Sequence, residues 1–279
     1  MKLKLGGVPE HFNYMWQLSA AKELMRSYGI VYDWTDYPGG TGSMIQALDT
    51  DELDMAIMLT EGAIAGIADG KAYKILFPFV MSPLLWGVFT SATRKRELPA
   101  TLETARFAIS RFNSGSHLMA KFLAKRHNIT LQDSQFILSG NLEGARKVLL
   151  SEEADYFLWE KYMTRPLVHS GEFKMTDEIS APWPSFVFVV KRDFNLIDKD
   201  IWQQAVYELS SDYLQDSKTE ILSGICTQFS LSPEDADAWL SEVRYFDNNT
   251  YWKDRILAAG IIMKSKGMLS RFPEIKEII

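Results

Sequence analysis

Polar and apolar positions alternate in blocks along the first third of the chain, and the period of the alternation changes from block to block. Lys2 to Leu5 alternates polar and apolar residues, as a half-buried strand does, and Gly6-Gly7-Val8-Pro9 turns the chain. Glu10 to Tyr28 places Phe12, Met15, Trp16, Ala20, Leu24 and Tyr28 on or near one helical face, and Gly29 ends the helix. Ile30 to Thr35 has the β-branched and aromatic residues of a strand. The glycine turn Tyr37-Pro38-Gly39-Gly40-Thr41-Gly42-Ser43 then feeds a helix from Met44 to Leu48. Leu53 to Leu59 is an almost continuous apolar run, the pattern of a parallel strand covered on both faces. Thr60-Glu61-Gly62 opens a helix of alanines and isoleucines, and Tyr73 to Val80 is a fourth strand.

This alternation predicts an α/β chain, a mainly parallel sheet flanked by helices. Ser82 to Thr90 is extended, and the polar stretch Ser91 to Ala100 breaks the pattern. A second α/β block comes next. It has a strand at Phe107-Ala108-Ile109, a helix ending near His127, a strand around Phe136 to Leu138 and a helix from Leu142 to Leu150. Tyr156-Phe157-Leu158 then hands over through Trp159-Glu160 to another helix. Ala181-Pro182-Trp183-Pro184 is rigid and extended, because each proline fixes its own φ and restricts the residue before it. Phe186 to Val190 reads as a buried strand. From Asp200 onward only helices are predicted, at Ile201 to Leu214, Ser217 to Ile225, Pro233 to Val243 and Tyr251 to Lys264. Ser232-Pro233-Glu234-Asp235 is a helix start, with a capping Ser, Pro at the first position and acids in the first turn.

The turn Ser110-Arg111-Phe112-Asn113-Ser114-Gly115-Ser116-His117 carries the most chemistry. It joins a short strand to a helix N-terminus, where the first N–H groups have no partner within the helix and the macrodipole is positive. Two hydroxyls, a glycine and an arginine at that point make a seat for a carboxylate, phosphate, sulfonate or polar ring. Capping of the helix by Ser114 or Ser116 is the plainer reading. In parallel α/β sheets ligands bind beyond the carboxyl ends of the strands, so Gly7 to His11, Gly39 to Ser43 and Thr60-Glu61 are expected on one shared rim.

Composition narrows the function classes. With 279 residues the chain can bury a large core and is expected to form two lobes. A net charge of −6 disfavours nucleic acid as a partner, which needs concentrated cationic charge. Cys226 is the single cysteine, so no intrachain disulfide and no cysteine metal cluster is possible. No run approaches the roughly 18 apolar residues of a membrane span, so the protein is not expected to be membrane-embedded. Met1 to Gly7 goes straight into a strand pattern without the apolar core of a secretion leader. The sequence as it stands is therefore expected in the cytoplasm, and in the periplasm had a leader been removed.

The glycines at 39, 40 and 42 do not fit the dinucleotide spacing G-x-G-x-x-G, and no Walker pattern exists. The histidines are His11, His117, His127 and His169, and none has a metal spacing. His11 and His117 begin helices on the expected rims, where a neutral imidazole could donate to a ligand or stack on it. His127 and His169 are expected at solvated helix ends. No G-x-S-x-G elbow surrounds Ser114 or Ser116, so a hydrolase triad has no support. Among the eight tryptophans, Trp16, Trp202, Trp239 and Trp252 fall on helices and are expected in the core. Trp86, Trp159 and Trp183 lie near the rims, where a rigid aromatic suits a flat heterocycle or packing between lobes.

These residues carry a family resemblance. Leu5 to Phe12, Gly39 to Gly42, Leu59 to Ala63, Ser82 to Gly87, Ser110-Arg111 with Ser114 to His117, Phe157 to Glu160 and Pro182 to Pro184 span most of positions 1 to 190. In them the chain resembles the type 2 periplasmic-binding-protein-like proteins. The branch is that of the sulfonate-, nitrate- and thiamine-pyrimidine-precursor-binding components of transport systems, with an uncharacterised bacterial and fungal subgroup in it. The resemblance implies two α/β lobes, each a mainly parallel sheet flanked by helices, with the C-terminal helices on the first. Lobe I would comprise residues 1–88 and 184–279 and lobe II residues 89–183, with crossings near Trp86 to Thr90 and near Pro182 to Pro184. A ligand would bind in the cleft, and the lobes would close over it.

The expected function is that of a substrate-binding protein without chemistry of its own. Its ligand would be compact and polar, anionic or heteroaromatic, such as a thiamine-pyrimidine precursor or a sulfonate-like compound. Arg111, Ser114 and Ser116 would hold an anionic or acceptor group, Glu61 and Glu160 would accept from ligand N–H groups, and a tryptophan would cover a ring. The full expected set is Glu10, His11, Gly40, Thr41, Thr60, Glu61, Trp86, Arg111, Ser114, Ser116, His117, Glu160 and Trp183. No catalytic residue, metal or cofactor is expected. The partners expected are the small-molecule ligand and, by the resemblance, an ABC transporter permease. The alternatives are an enzyme of thiamine or related heterocycle metabolism, with His11 or His117 as acid/base, and an intracellular sensor recruiting a partner through its C-terminal helices.

Overall fold

The computed structural model describes residues 2–95, 102–215, 218–248 and 251–279. The C-terminal part of the polar break at Ser91 to Ala100 and the helix start expected at Ser217 lie outside the described residues. Strands run in chain order as β1 (Leu3–Gly7), β2 (Tyr32–Asp36), β3 (Met55–Leu59), β4 (Tyr73–Val80) and β5 (Leu85–Ser91). They continue as β6 (Phe107–Ile109), β7 (Phe136–Leu138), β8 (Tyr156–Glu160), β9 (Phe173–Ser180) and β10 (Phe186–Lys191). The helices are α1 (Ser19–Ser27), α2 (Gly40–Asp49), α3 (Thr60–Ala68), α4 (Gly115–Arg126), α5 (Leu142–Leu150) and α6 (Lys161–His169). The C-terminal helices are α7 (Lys199–Gln215), α8 (Lys218–Phe229), α9 (Pro233–Glu242), α10 (Trp252–Ser265) and α11 (Ile275–Ile278).

Two five-stranded sheets form, ordered β2-β1-β3-β10-β4 and β7-β6-β8-β5-β9. In the first sheet β1 is parallel to β2 and β3; in the second, β6 is parallel to β7 and β8. β10 and β5 are antiparallel to both of their neighbours. The reason is the path between sheets. The chain leaves the first sheet at the end of β4 and returns at the start of β10, so outgoing and incoming strands lie side by side with Val80 opposite Phe186. The same holds in the second sheet, where Leu85 at the start of β5 faces Ser180 at the end of β9. The passages between the sheets thus lie at residues 81–84 and 181–185. The stretch Trp86 to Thr90, expected as a crossing, is strand paired within the second sheet.

Two other segments differ from the sequence reading. Glu10 to Tyr28 is not one helix: a 3-10 turn over His11–Gln17 is followed by extended Leu18 (φ −74°, ψ 144°) and then by α1. His11, Phe12, Asn13, Met15 and Trp16 are all buried, so this segment has no solvent face to keep an α-helical stripe. β9 has no counterpart in the sequence reading. It is an edge strand whose Lys174 to Glu178 are half-exposed, and it lacks the apolar alternation that marks a strand in sequence.

The C-terminal helices cover the first sheet, with α7, α10 and α11 against β4. Trp16 lies between Trp34 and Trp202, with ring centroids at 6.4 and 5.8 Å and planes within 12° of parallel. Trp16 and Trp202 are fully buried, as expected for tryptophans on the apolar face of their segments. The α9 helix also reaches α6 beside the second sheet: Tyr162 Oη donates to Glu242 Oε2 at 2.8 Å, and His169 Nε2 lies 2.6 Å from Asp235 Oδ2. No described helix is long and apolar enough to cross a membrane. Removing one slab of the indole stack leaves a void that its rigid neighbours cannot fill. Trp202→Ala is expected to cost about 3–5 kcal/mol in urea unfolding with an unchanged m-value. A loss under about 1 kcal/mol would show that the stack does not carry the first lobe.

Candidate functional site

A cavity of about 250 Å³ opens between the two sheets. Its walls are the segments leaving β1, β2 and β3 on one side and those leaving β6, β7 and β8 on the other. The antiparallel strands β5 and β10 add Trp86 and Phe186 from their starts, because a reversed strand presents its beginning where its neighbours end.

The exit of β2 contributes Pro38, Gly40 and Thr41. α2 begins at Gly40 (φ +66°, a left-handed value that favours glycine), not at Met44 as expected from sequence. The first free amides of α2 therefore belong to the glycine turn itself. The exit of β6 contributes Ser110, Arg111, Ser114, Gly115 and Ser116. Ser114 caps α4 by accepting from the His117 amide at 3.4 Å. The Ser116 hydroxyl accepts from the Ser110 amide at 3.1 Å and lies 3.0 Å from Ser114 Oγ and 3.2 Å from Ser110 Oγ. A side chain at position 115 would strike Leu59 and the Trp86 ring, so glycine there lets the helix start sit against both.

Arg111 reaches across the gap between the sheets. Its Nη1 donates to the Gly39 carbonyl at 3.4 Å, and a Cβ at Gly42 would overlap the guanidinium, so the glycine makes room for it. No ion pair joins Arg111 to a carboxylate among the described residues, and burial lowers its pKa. The opposite charge appears one strand over in each sheet. Glu10 after β1 and Glu160 at the end of β8 both line the cavity, 8% and 2% exposed. Burial raises the Glu10 carboxyl from 4.5 to about 7 and that of Glu160 well above 4.5, helped there by the charge of Glu10. Glu160 accepts from the Met163 amide at 2.6 Å and so caps α6.

Of the residues expected at the site, Glu10, Gly40, Thr41, Trp86, Arg111, Ser114, Ser116 and Glu160 line this cavity. His11, Thr60, Glu61, His117 and Trp183 do not. His11 is fully buried behind the wall, stacked on Phe12 and edge-on to Trp239, and burial lowers its pKa to about 3. His117 turns away from the cavity. Its Nδ1 accepts from the Asn113 amide at 2.9 Å, its ring packs against Phe136, and burial lowers its pKa to about 4. Thr60 and Glu61 fasten the return crossing: Thr60 Oγ1 donates to the Pro184 carbonyl at 2.5 Å, and Trp183 Nε1 donates to Glu61 Oε2 at 2.9 Å. His127 is exposed, and His169 is exposed beside Asp235.

The expected set leaves out Trp159, Asn141, Glu143, Met163 and the apolar walls Leu59, Leu84 and Phe186, all of which line the cavity. Asn141 comes after Ser139-Gly140 at the exit of β7, so the rule that marks the other strand exits would have found it. Leu84 comes from a crossing and Phe186 from the start of β10, and neither residue carries a sequence signal of a site. No cluster of three or more metal-ligating side chains occurs among the described residues.

Two sheets, two crossings and a cleft walled by both define the class: this is a type 2 periplasmic-binding-protein-like fold. The model of the Ca3427-like periplasmic-binding-protein family matches residues 86–179. The conserved CA3427 gene product of Candida albicans is 26% identical and superposes with a TM-score of 0.89 over 99% of this chain and 93% of that one. The alkanesulfonate-binding protein SsuA of Xanthomonas axonopodis pv. citri, solved bound to MOPS, has a TM-score of 0.82 at 12% identity, covering 100% of this chain and 98% of that one. The ligand-binding component of an ABC-type import system from Staphylococcus aureus has a TM-score of 0.73 at 15% identity, covering 100% of this chain and 96% of that one. Comparison with the curated proteins finds no match.

The Glu61 carboxyl is buried and raised from 4.5 to about 7 by that burial. The folded chain therefore keeps a proton that the unfolded chain releases between these values. Its contribution to stability is intact below pH 4.5, falls as pH rises toward 7 and is level above. Glu61→Gln keeps an acceptor for Trp183 and removes the titration, so its urea stability is expected to gain on the wild type between about pH 5 and 8, by up to about 3 kcal/mol. Parallel curves for the two proteins would contradict the burial of an ionisable group at this crossing.

Proposed function

We propose that the protein is a solute-binding protein, without chemistry of its own, whose lobes close over a compact ligand carrying an anionic group. The observation that carries this reading is Arg111, a partly buried guanidinium in the cleft with no carboxylate among the described residues to neutralise it. A buried charge without a counter-charge is costly, and an anion entering the cleft relieves that cost. The free amides at the start of α4, the hydroxyls of Ser114 and Ser116 and the glycine turn at the start of α2 add donors around the same place. Sulfonate, with its compact spread charge, fits a seat made of amides and one guanidinium. The sulfonate-binding relatives support that choice.

The remaining wall is apolar and aromatic, with Trp86 from β5 and Trp159 from β8. It suits an alkyl chain or a flat ring such as the pyrimidine of a thiamine precursor. The lobes would move about the crossings at 81–84 and 181–185, where Thr60 and Glu61 hold the second crossing to the first lobe. A transporter permease is the partner this reading implies. Neither His11 nor His117 lines the cavity, so the acid/base role considered for them has no geometric support.

Titration calorimetry with 1-propanesulfonate and with an aminopyrimidine precursor tests the reading. A ligand at about 100 times its dissociation constant is expected to stabilise the protein by about 2.7 kcal/mol. Arg111→Ala removes a charged hydrogen-bonding partner worth about 1.5–3 kcal/mol and is expected to weaken sulfonate binding roughly 10- to 100-fold. Unchanged affinity in the variant would mean that the anion sits elsewhere.

A further inference from the structure

The proposed function accounts for Arg111 and leaves Glu10 and Glu160 unexplained. Glu10 is the sharper case. Its side chain is 8% exposed and lines the cavity, and among the described residues no hydrogen bond or ion pair involves its carboxyl. A largely buried carboxylate without a counter-charge is costly. The charged and titratable groups around the pair do not relieve it. Glu160 is itself acidic and uses one oxygen to cap α6. His11 Nε2 lies 3.8 Å from Glu160 Oε2, but both ring nitrogens lack hydrogen bonds and burial keeps the ring neutral. Lys161 is paired with Glu178 at 2.9 Å, and Glu143, at the rim, is paired with Arg146. Arg111 faces the same cavity from the neighbouring strand exits, bonded to the Gly39 carbonyl.

We infer that Glu10 and Glu160 form the seat of a protonated nitrogen, so that the ligand is a short zwitterion whose anionic group lies at Arg111 and whose cationic group lies at the two carboxyls. This rests on the proposed anion seat and extends it. The topology supplies the spacing. β1 neighbours β2 in the first sheet and β8 neighbours β6 in the second, so the two seats are offset by one strand in each wall. Strands lie about 5 Å apart, which matches an amine and a sulfonate separated by roughly two to four carbons. Trp86 and Trp159 would cover the linking carbons.

A proton is coupled to this event. Burial raises the Glu10 carboxyl to about 7, so near neutral pH part of the empty protein holds a proton where the cation must sit. Binding the cationic nitrogen releases that proton to solvent, and affinity for an aminosulfonate must rise with pH. An alkanesulfonate without nitrogen gains nothing from an ionised Glu10 and must not follow that rise.

The test compares ω-aminoalkanesulfonates of two to four carbons with the matching alkanesulfonates, by calorimetry at about pH 6 and about pH 8. At the higher pH the best aminosulfonate is expected to bind at least roughly 10-fold more tightly than its parent. Its affinity is expected to rise several-fold between the two pH values, with proton release seen as a dependence of the heat on buffer ionisation enthalpy. In Glu10→Gln the preference for the amine is expected to fall toward one and the pH dependence to flatten. Equal binding of both series would overturn the cation seat while leaving the anion seat intact. Binding of neither series would overturn the anion seat and this inference with it. A preference for the amine that survives in Glu10→Gln and Glu160→Gln would place the nitrogen elsewhere and overturn the assignment.

Discussion

Buried charge without counter-charge is the constraint that organises this cleft. Arg111 leaves the second sheet at the exit of β6 and lies against the glycine turn of the first, where a carbonyl accepts from it. Gly42 has no side chain because the guanidinium occupies that space. Glu10 and Glu160 face the same cavity, and among the described residues no lysine or arginine pairs with either. Proteins tolerate such groups where something else satisfies them, and a cleft between two lobes is a place where that something can enter and leave.

The fold supplies the convergence. Strand exits from two separate sheets meet at one gap, and the first residues of α2, α4 and α5 line it where parallel strands hand over to helices. The two antiparallel strands result from the chain passing once between the sheets in each direction. They bring Trp86 and Phe186, residues at strand beginnings, to the rim of strand ends. Thr60 and Glu61 at the start of α3 are hydrogen-bonded to Pro184 and Trp183 of the return crossing, beside the cavity.

Much of this was legible in the sequence, for physical reasons. Strand β4 and helix α5 have the predicted bounds because their apolar periods are uninterrupted. Ser232 caps α9 as its neighbours Pro233, Glu234 and Asp235 imply. Glycine and serine turns after strands point to Gly40, Arg111, Ser114 and Ser116, because backbone that must approach a ligand or a helix start leaves a composition signal. The direction of a side chain leaves none. His11 and Glu10 are adjacent, yet Glu10 lines the cavity and His11 packs behind it among aromatic rings. His117 is next to Ser116 but accepts from a backbone amide and faces away. β9 escapes sequence reading because a half-exposed edge strand does not need an apolar face, and Leu84 enters the cavity only through the path of a crossing.

The central claim, that the unneutralised guanidinium is the seat of an anion, is tested most directly by a crystal structure of the protein grown with 1-propanesulfonate. The account predicts density for the sulfonate within hydrogen-bond distance of Arg111 and of the first amides of α4, with the propyl chain against Trp86. Sulfonate bound on an outer surface, with Arg111 paired to a carboxylate of the chain itself, would contradict it.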